Sequence, residues 1–113
     1  MDCIFCKIAN GEIPTNKVYE DDDIVAFYDL EPQAPVHILI IPKNHITSAN
    51  DITCKNSNIV AHIFEAIPQI TAKLNIGESG YRVINNCGEN GGQTVKHMHF
   101  HLLGGRSMEW PPG

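Results

Sequence analysis

The run His97-Met98-His99-Phe100-His101 constrains the fold more than any other part of the sequence, because polar and apolar residues alternate in it. In an extended strand successive side chains point to opposite faces, so the three imidazoles would share one face and Met98 and Phe100 the other. Histidine is only intermediate in burial and each ring has nitrogens that need partners, so core packing does not explain three in register. The run therefore predicts a strand, within residues 94–103, with a polar functional face opposite a hydrophobic one.

Patterns elsewhere in the chain predict further strands and two helices around this one. The 113 residues fit a single domain, residues 1–113, and 42% hydrophobic residues suffice for one packed core. Residues 36–41 are apolar on both faces, which predicts a central strand. Apolar positions over residues 59–74 recur with the helical period and predict a long helix, which Pro68 should kink or divide. Shorter patterns predict a helix at residues 3–10 and strands at Lys17–Glu20, Ile24–Tyr28 and Tyr81–Asn85.

The charge and the N-terminal residues narrow the class of partner. The formal net charge is −5 and no basic tract is present, which argues against a nucleic-acid-binding protein. No cationic segment leads into a long apolar stretch, which predicts a cytoplasmic location and no binding to membranes. A phosphate group on a ligand would have to be held by local features of the chain.

Cys3 and Cys6 form a Cys-x-x-Cys pair with the spacing of a zinc knuckle. A structural zinc needs four ligands, and the candidates for the other two are His45 and His97. Two thiolates and two imidazoles would make a closed tetrahedral site. Two other interpretations stay open: a thioredoxin-like redox pair, which no preceding strand supports, and two ordinary thiols.

Glycine-rich segments lie on both sides of the histidine run. Gly91-Gly92-Gln93-Thr94 precedes it and Gly104-Gly105-Arg106 follows it, so main-chain amides without bulky side chains would surround the imidazoles. Such amides bind anions, and an imidazole nucleophile among hydrogen-bond donors suits substitution at phosphorus. The alternatives are exposed surface histidines and a three-histidine metal site, although side chains at i, i+2 and i+4 diverge too far to meet at one ion. The predicted chemistry is nucleotidyl transfer to a histidine.

The segment His97-Met98-His99-Phe100-His101-Leu102-Leu103 matches the His-x-His-x-His-x-x signature, with x hydrophobic, and the chain resembles the histidine triad (HIT) superfamily. Residues 2–8, 27–42, with Pro32-Gln33-Ala34-Pro35-Val36-His37, 91–106 and the closing Trp110-Pro111-Pro112-Gly113 are similar to its Hint branch, of the zinc-binding type that carries Cys-x-x-Cys. The resemblance implies an α+β HIT fold with a five-stranded antiparallel sheet, one long helix and a short N-terminal helix. It also implies a homodimer whose sheet extends across the interface.

The activity that the resemblance implies is that of a purine nucleoside phosphoramidase, which cleaves the P–N bond of substrates such as adenosine 5′-phosphoramidate and also acts on aminoacyl adenylates. His99 would be the nucleophile that becomes nucleotidylated, His101 would contact the phosphate and help handle the proton of the leaving group, and His37 would orient the nucleophile through hydrogen bonds. The implied ligands of a structural zinc are Cys3, Cys6, His45 and His97, and no organic cofactor is implied. The implied nucleotide-binding residues are Ile4, Phe5, Ile8, Phe27, Asp29, Leu30, Asn86, Gly92, Thr94, His99, His101 and Trp110.

These nucleotide-binding residues divide by the part of the ligand that each would contact. Asp29 would accept hydrogen bonds from the ribose hydroxyls, and the apolar side chains would enclose the base. Asn86, Gly92 and Thr94 would hold the phosphate oxygens, with Thr94 standing where the family often has serine. Trp110 would lie near the active site of the partner subunit. The alternative function is a non-catalytic nucleotide-binding protein with a regulatory or scaffold role.

Overall fold

Five strands form one antiparallel sheet in the computed structural model, which describes residues 3–113. Met1 and Asp2, with which the predicted domain begins, lie outside the described residues. The strands are β1 (Lys17–Glu20), β2 (Ile24–Tyr28), β3 (Val36–Pro42), β4 (Tyr81–Asn85) and β5 (Phe100–Gly104). Their order across the sheet is β1-β2-β3-β5-β4, and all neighbouring strands are antiparallel. The predicted α+β fold is confirmed, with β3 as the central strand.

Two helices flank this sheet. Helix α1 (Ile4–Ala9) begins after Cys3, whose Sγ accepts a hydrogen bond from the amide of Cys6 at 3.4 Å. The chain leaves α1 at Gly11, where φ is +82° and glycine avoids the strain of a left-handed backbone. Helix α2 (Asn58–Lys73) follows a short 3-10 turn at Ala49–Asp51. Both helices agree with the sequence prediction to within two residues at their starts.

Strand β3 alternates its side chains between two hydrophobic cores, as a strand buried on both faces must. Ile38 and Ile40 lie in the larger core, which α2 covers, whereas Leu39 and Ile41 lie in the smaller core, which α1 covers. His37 lies two residues before Leu39 and therefore shares its face of the sheet. The α1 face thus carries a histidine at the point where β3 begins.

Helix α2 runs continuously through Pro68, so the predicted division into two pieces does not occur. Proline removes one main-chain donor, and the carbonyl of Phe64, one turn earlier, loses its helical partner. Pro68 and Phe64 both lie on the exposed side of α2, where water can hydrogen-bond to that carbonyl. Among residues 3–113, no helix is both long and apolar enough to cross a membrane.

Strand β5 is shorter than predicted, because it begins at Phe100 and not near residue 94. The amide of Met98 donates to the carbonyl of Ile46, in the loop after β3, at 2.6 Å. This bond holds the preceding segment against a loop and keeps it from pairing with a strand. The alternation of faces persists nonetheless, since Met98 and Phe100 lie in the core under α2 while His99 contacts Phe5 of α1.

Candidate active site and metal centre

A cleft of about 740 Å³ opens on the α1 face of the sheet. Its lining combines apolar side chains with a few convergent polar groups, which is typical of sites for small ligands. His37 and nine of the predicted nucleotide-binding residues line it: Ile4, Phe5, Ile8, Phe27, Asp29, Leu30, Thr94, His99 and His101. The fold therefore brings most of the predicted site residues into one cleft.

Three predicted nucleotide-binding residues do not line this cleft. Asn86 donates from Nδ2 to the carbonyl of Gly92 at 3.3 Å, so these two residues close the loop after β4 on itself. Trp110 is 83% exposed and lies outside the cleft of its own chain. Contact of these three residues with a nucleotide stays a prediction.

Gly104 and Gly105, which follow the histidine run, have structural reasons of their own, and anion binding by their amides stays a prediction. A Cβ at Gly104 would lie 2.7 Å from Cδ1 of Ile76, and a Cβ at Gly105 would lie 2.9 Å from Cβ of Pro35. Neighbouring side chains thus pack directly against the main chain at both positions, and φ at Gly105 is +89°. Close packing and backbone conformation explain these glycines without an anion.

The neutral form of His99 presents an unprotonated nitrogen to the cleft. Its Nδ1 lies 2.7 Å from the carbonyl oxygen of His97, which can only accept, so Nδ1 carries the proton and Nε2 the lone pair. Within residues 3–113 the only fully buried side-chain polar atom without a hydrogen bond is Oγ1 of Thr15. The Nε2 of His99, which has no partner there, therefore meets solvent in the cleft. This imidazole is held in the tautomer that a nucleophile needs.

His37 forms a side-chain hydrogen bond with His101 and none with His99, so its role in orienting the nucleophile stays a prediction. Its Nε2 lies 2.9 Å from Nδ1 of His101, and its Nδ1 accepts from the main-chain amide of Gln33 at 3.0 Å. Because the amide can only donate, neutral His37 carries its proton on Nε2 and donates it to His101. Oδ2 of Asp29, 3.4 Å from the same Nε2, also favours a proton there.

Burial keeps His37 and His101 uncharged near neutral pH. Burial lowers the pKa of His37, and the nearby carboxylate of Asp29 offsets only part of that effect. Burial, together with the neighbouring imidazoles of His99 and His37, lowers the pKa of His101 to about 4. Each neutral ring therefore has one donor and one acceptor nitrogen. In the hydrogen bond between the two rings, one nitrogen must donate and the other must accept.

Four potential metal ligands from α1, the loop after β3 and the segment before β5 meet beside the cleft. They are Cys3, Cys6, His45 and His97, and their ligand atoms all lie within 4.8 Å of one another. Three Sγ–Nδ1 distances are 3.4 Å for Cys3 and His97, 3.3 Å for Cys6 and His45, and 3.5 Å for Cys6 and His97. Zinc bonds of about 2.3 Å to sulfur and about 2.0 Å to nitrogen place these atoms about 3.5 Å apart in a tetrahedron. The four residues therefore fit a tetrahedral zinc.

The tautomer of His97 also suits metal binding. Its Nε2 donates to the carbonyl of Pro42 at 2.8 Å, which leaves the lone pair on Nδ1 facing the two thiols. Burial lowers the pKa of the fully buried His97 ring, which keeps that ring neutral. Burial and the neighbouring Cys3 thiol raise the pKa of Cys6, so a cation is what would stabilise its thiolate.

Comparison with known proteins supports this description. The sequence profile of the HIT domain family matches residues 10–108. This chain belongs to the HIT family. The HIT fold of a HIT family hydrolase from Legionella pneumophila, known from its crystal structure, matches with a TM-score of 0.96 and 50% sequence identity, covering 99% of this chain and 100% of that chain.

The names of two other relatives of this HIT protein include a metal or a class of ligand. A 14 kDa zinc-binding protein from Zea mays is 46% identical over 112 residues, which cover 97% of this chain and 87% of the maize protein. A histidine triad nucleotide-binding protein from Candida albicans has a TM-score of 0.83 and 35% identity, covering 97% of this chain and 83% of that chain. Zinc and a nucleotide are thus named for relatives whose chains align over most of their length.

Two other clusters of potential ligands in the HIT protein suit a cation less well. Metal binding through Nε2 of neutral His37 would require a proton on Nδ1, where the amide of Gln33 already points its own hydrogen. In the cluster of Asp21, Asp23 and His62, both carboxylate oxygens of Asp21 already accept hydrogen bonds. Nδ1 of His37 and the carboxylate of Asp21 are thus already engaged by hydrogen bonds within the protein.

Some residues that line the cleft of this HIT protein were not predicted from the sequence. Leu39 and Val95 line it, and Leu39 could have been predicted because it follows His37 by two residues on β3. The main-chain amide of Gln33 donates to His37, and such a contact does not require a particular side chain. A sequence pattern could therefore not have assigned that role to Gln33.

Proposed function

We propose that this HIT protein belongs to the Hint branch and hydrolyses purine nucleoside phosphoramidates through a nucleotidyl-histidine intermediate on His99. The observation that carries the proposal is the hydrogen bond from Nδ1 of His99 to the carbonyl of His97, which in the neutral ring places the lone pair on Nε2 in an open cleft. A nucleophilic imidazole requires that state. The description of the Legionella relative as a hydrolase supports the reaction class.

The lining of the cleft supports a mononucleoside group as the ligand. Phe5 and Phe27 pack edge to face with centroids 5.9 Å apart and, with the other apolar side chains of the cleft, would enclose the base. Asp29 uses Oδ1 to accept from the amide of Glu31 at 2.8 Å, and its remaining lone pairs could accept from ribose hydroxyls. Thr94 would donate to the phosphate, and the loop that contains Asn86 and Gly92 would add further donors.

The proposed reaction has two displacements at phosphorus. Nε2 of His99 attacks in line, the P–N bond breaks, and the amine leaves with a proton taken from water in the open cleft. A second water then attacks the phosphorus and gives up a proton that neutralises the hydroxide left by the first step, and the P–N bond to His99 breaks to release the nucleoside monophosphate. His101 would donate a hydrogen bond from Nε2 to a phosphate oxygen or to the leaving nitrogen. Positioning and hydrogen bonding account for most of the catalysis in such transfers.

A structural zinc on Cys3, Cys6, His45 and His97 belongs to the same proposal, and the zinc-binding relative from maize supports it. The ion would stabilise charge on the thiolates and join α1 to the sheet.

We further propose a homodimer of the domain at residues 1–113. Strand β4 is an edge strand, so its free side could pair with its copy in a partner and extend the sheet.

Detection of the covalent intermediate tests the proposed function. The protein is mixed with adenosine 5′-phosphoramidate, quenched rapidly and analysed by intact-protein mass spectrometry. The wild type should carry one covalently bound nucleoside monophosphate, and His99→Ala should carry none. Turnover should be abolished in His99→Ala and retained in His62→Gln, a matched histidine variant on α2 outside the cleft. Tight nucleotide binding without adduct or turnover would support the non-catalytic alternative, with which the description of the Candida relative as nucleotide-binding also agrees.

A further inference from the structure

Hydrogen bonds to the main chain of Gln33 link an exposed arginine to an imidazole of the cleft. Nη2 of Arg106 donates to the carbonyl of Gln33 at 2.9 Å, and the amide of Gln33 donates to Nδ1 of His37 at 3.0 Å. Nε2 of His37 then meets Nδ1 of His101 at 2.9 Å. Arg106 and Gln33 are both exposed, whereas His37 is buried. These bonds and the main chain of Gln33 therefore form a path from the protein surface to the cleft.

The bonds of this path can run in only one direction. A guanidinium and an amide N–H can only donate, so Nδ1 of His37 must accept. A neutral imidazole has one donor and one acceptor, so His37 carries its proton on Nε2 and donates it to His101. By the same rule His101 carries its own proton on Nε2, an atom with no hydrogen-bond partner among residues 3–113. The amide of Gln33 thus determines which nitrogen of His101 is a donor.

We propose that the amide of Gln33, oriented by Arg106, is a tautomer lock that keeps the proton of His101 on Nε2. In this tautomer His101 can donate to a phosphate oxygen, whereas in the other tautomer Nε2 would place a lone pair against that oxygen. Arg106 is then a positioning residue that acts through Gln33 and His37 and touches no reacting atom. The benefit to turnover rests on the proposed function, but the tautomer itself does not.

The surrounding chain is shaped to hold this path in place. Positive φ at Gly105, and its close approach to Pro35, let the chain after β5 turn back so that Arg106 reaches the loop before β3. The side chain of Gln33 donates from Nε2 to the carbonyl of Glu31 at 3.0 Å, which restrains the same loop. The carbonyl and the N–H of Gln33 belong to adjacent peptide groups, so Arg106 restrains the orientation of this N–H through the main-chain torsions of Gln33.

Imidazole nitrogen NMR tests the lock directly and without substrate. Long-range proton–nitrogen spectra of histidine-labelled, zinc-loaded protein report which ring nitrogen of each residue carries hydrogen. In the wild type we expect protonated Nε2 for His37 and His101, and protonated Nδ1 for His99. Folded wild-type protein in which His101 is protonated on Nδ1 instead would overturn the proposal.

A pair of substitutions at one position separates the amide from the side chain. Gln33→Pro removes the N–H, and we expect His37 and His101 to populate both tautomers. Gln33→Ala keeps the N–H, and we expect the wild-type spectrum of the two rings. An unchanged spectrum in folded Gln33→Pro would refute the role of the amide.

Substitutions at the exposed Arg106 keep the test decisive if Gln33→Pro does not fold. Arg106→Gln should shift the nitrogen signals of His37 and His101 toward tautomer exchange, and Arg106→Lys, which retains a donor, should restore them in part. Lys55→Gln, which removes an exposed cation elsewhere, should leave these signals unchanged. Signals identical to the wild type in Arg106→Gln would refute the role of Arg106.

Turnover then separates the lock from the proposed function. Loss of a well-placed hydrogen-bond donor lowers kcat by roughly 10²–10³ in other enzymes, so partial loss of the tautomer in Gln33→Pro should lower kcat by about 10–100-fold. The Kd for adenosine monophosphate should change by less than about threefold, because binding depends mainly on the base and ribose. A changed tautomer with unchanged kcat would confirm the lock and refute the catalytic use of His101. A wild type without phosphoramidase activity would refute the proposed function, while the spectra still decide the lock.

Discussion

The ion pair of Asp21 with His62 joins the turn between β1 and β2 to α2, and its loss should destabilise the fold in a pH-dependent way. Oδ1 of Asp21 accepts from the amides of Asp23 at 2.8 Å and Ile24 at 3.0 Å. Oδ2 accepts from the hydroxyl of Tyr19 at 2.9 Å and from Nε2 of His62 at 2.7 Å. Although partial burial acts to raise it, these four bonds lower the pKa of Asp21 from 3.8 to about 2. The hydrogen bond with Asp21 in turn raises the pKa of His62 above 6.5.

The expected loss of stability follows from the lowered pKa of Asp21. A pKa lowered from 3.8 to about 2 corresponds to about 2.4 kcal/mol of unfolding free energy, at about 1.36 kcal/mol per pH unit. The side chains of Asp21 and His62 are 28% and 35% exposed, so solvent screening reduces this value. We therefore expect Asp21→Asn to lower the unfolding free energy by about 1–2 kcal/mol at pH 6.

The two groups contribute over different ranges of pH. The stability from Asp21 is present above pH 3.8 and is lost as the pH falls toward 2, because its folded pKa is the lower one. The stability from His62 is present below pH 6.5 and is lost as the pH rises through its raised pKa. The coupling between the two side chains should therefore be greatest between about pH 4 and 6.5.

A double-mutant cycle measures this coupling. Urea unfolding of zinc-loaded wild type, Asp21→Asn, His62→Gln and the double variant, at one protein concentration, should give a coupling of about 0.5–1 kcal/mol at pH 6 and less at pH 9. Asp22→Asn removes the adjacent exposed carboxylate and should change stability by less than about 0.5 kcal/mol. A coupling of equal size at both pH values, or an Asp22→Asn effect as large as that of Asp21→Asn, would refute the reasoning.

Three further predictions concern the cleft, the metal centre and the packing of β5. An NMR titration of the His101 ring should have its midpoint near pH 4, and a midpoint near 6.5 would contradict the described burial. Cys6→Ser should lower zinc from about one ion per chain to less than about a tenth and lower Tm, whereas the exposed Cys54→Ser should do neither. Gly104→Ala places a Cβ 2.7 Å from a buried isoleucine and should lower the free energy of unfolding in urea by about 1–3 kcal/mol. Gly113→Ala, whose Cβ would have no atom within 4 Å, should cause no measurable change in that free energy.

Most strands of this HIT protein could be predicted because their signals are local. The bounds of Lys17–Glu20, Ile24–Tyr28 and Tyr81–Asn85 agree with the sequence pattern, since a period of two is a property of consecutive residues. Burial of β3 on both faces could be predicted for the same reason. The start of β5 could not, because a hydrogen bond to the carbonyl of Ile46 in a distant loop decides it.

The candidate site divides in the same way between local pattern and tertiary contact. The sequence by itself determined the residue types: alternating histidines, a Cys-x-x-Cys pair, and His45 and His97 as candidates for two further metal ligands. Only the tertiary structure decided the hydrogen-bond partners of the imidazoles. His37 reaches His101 because the register of β3 and β5 pairs Leu39 with His101, which sets the two rings diagonally on one face. The protonated nitrogen of each ring depends on main-chain donors and acceptors, such as the Gln33 amide, that any residue type other than proline could supply.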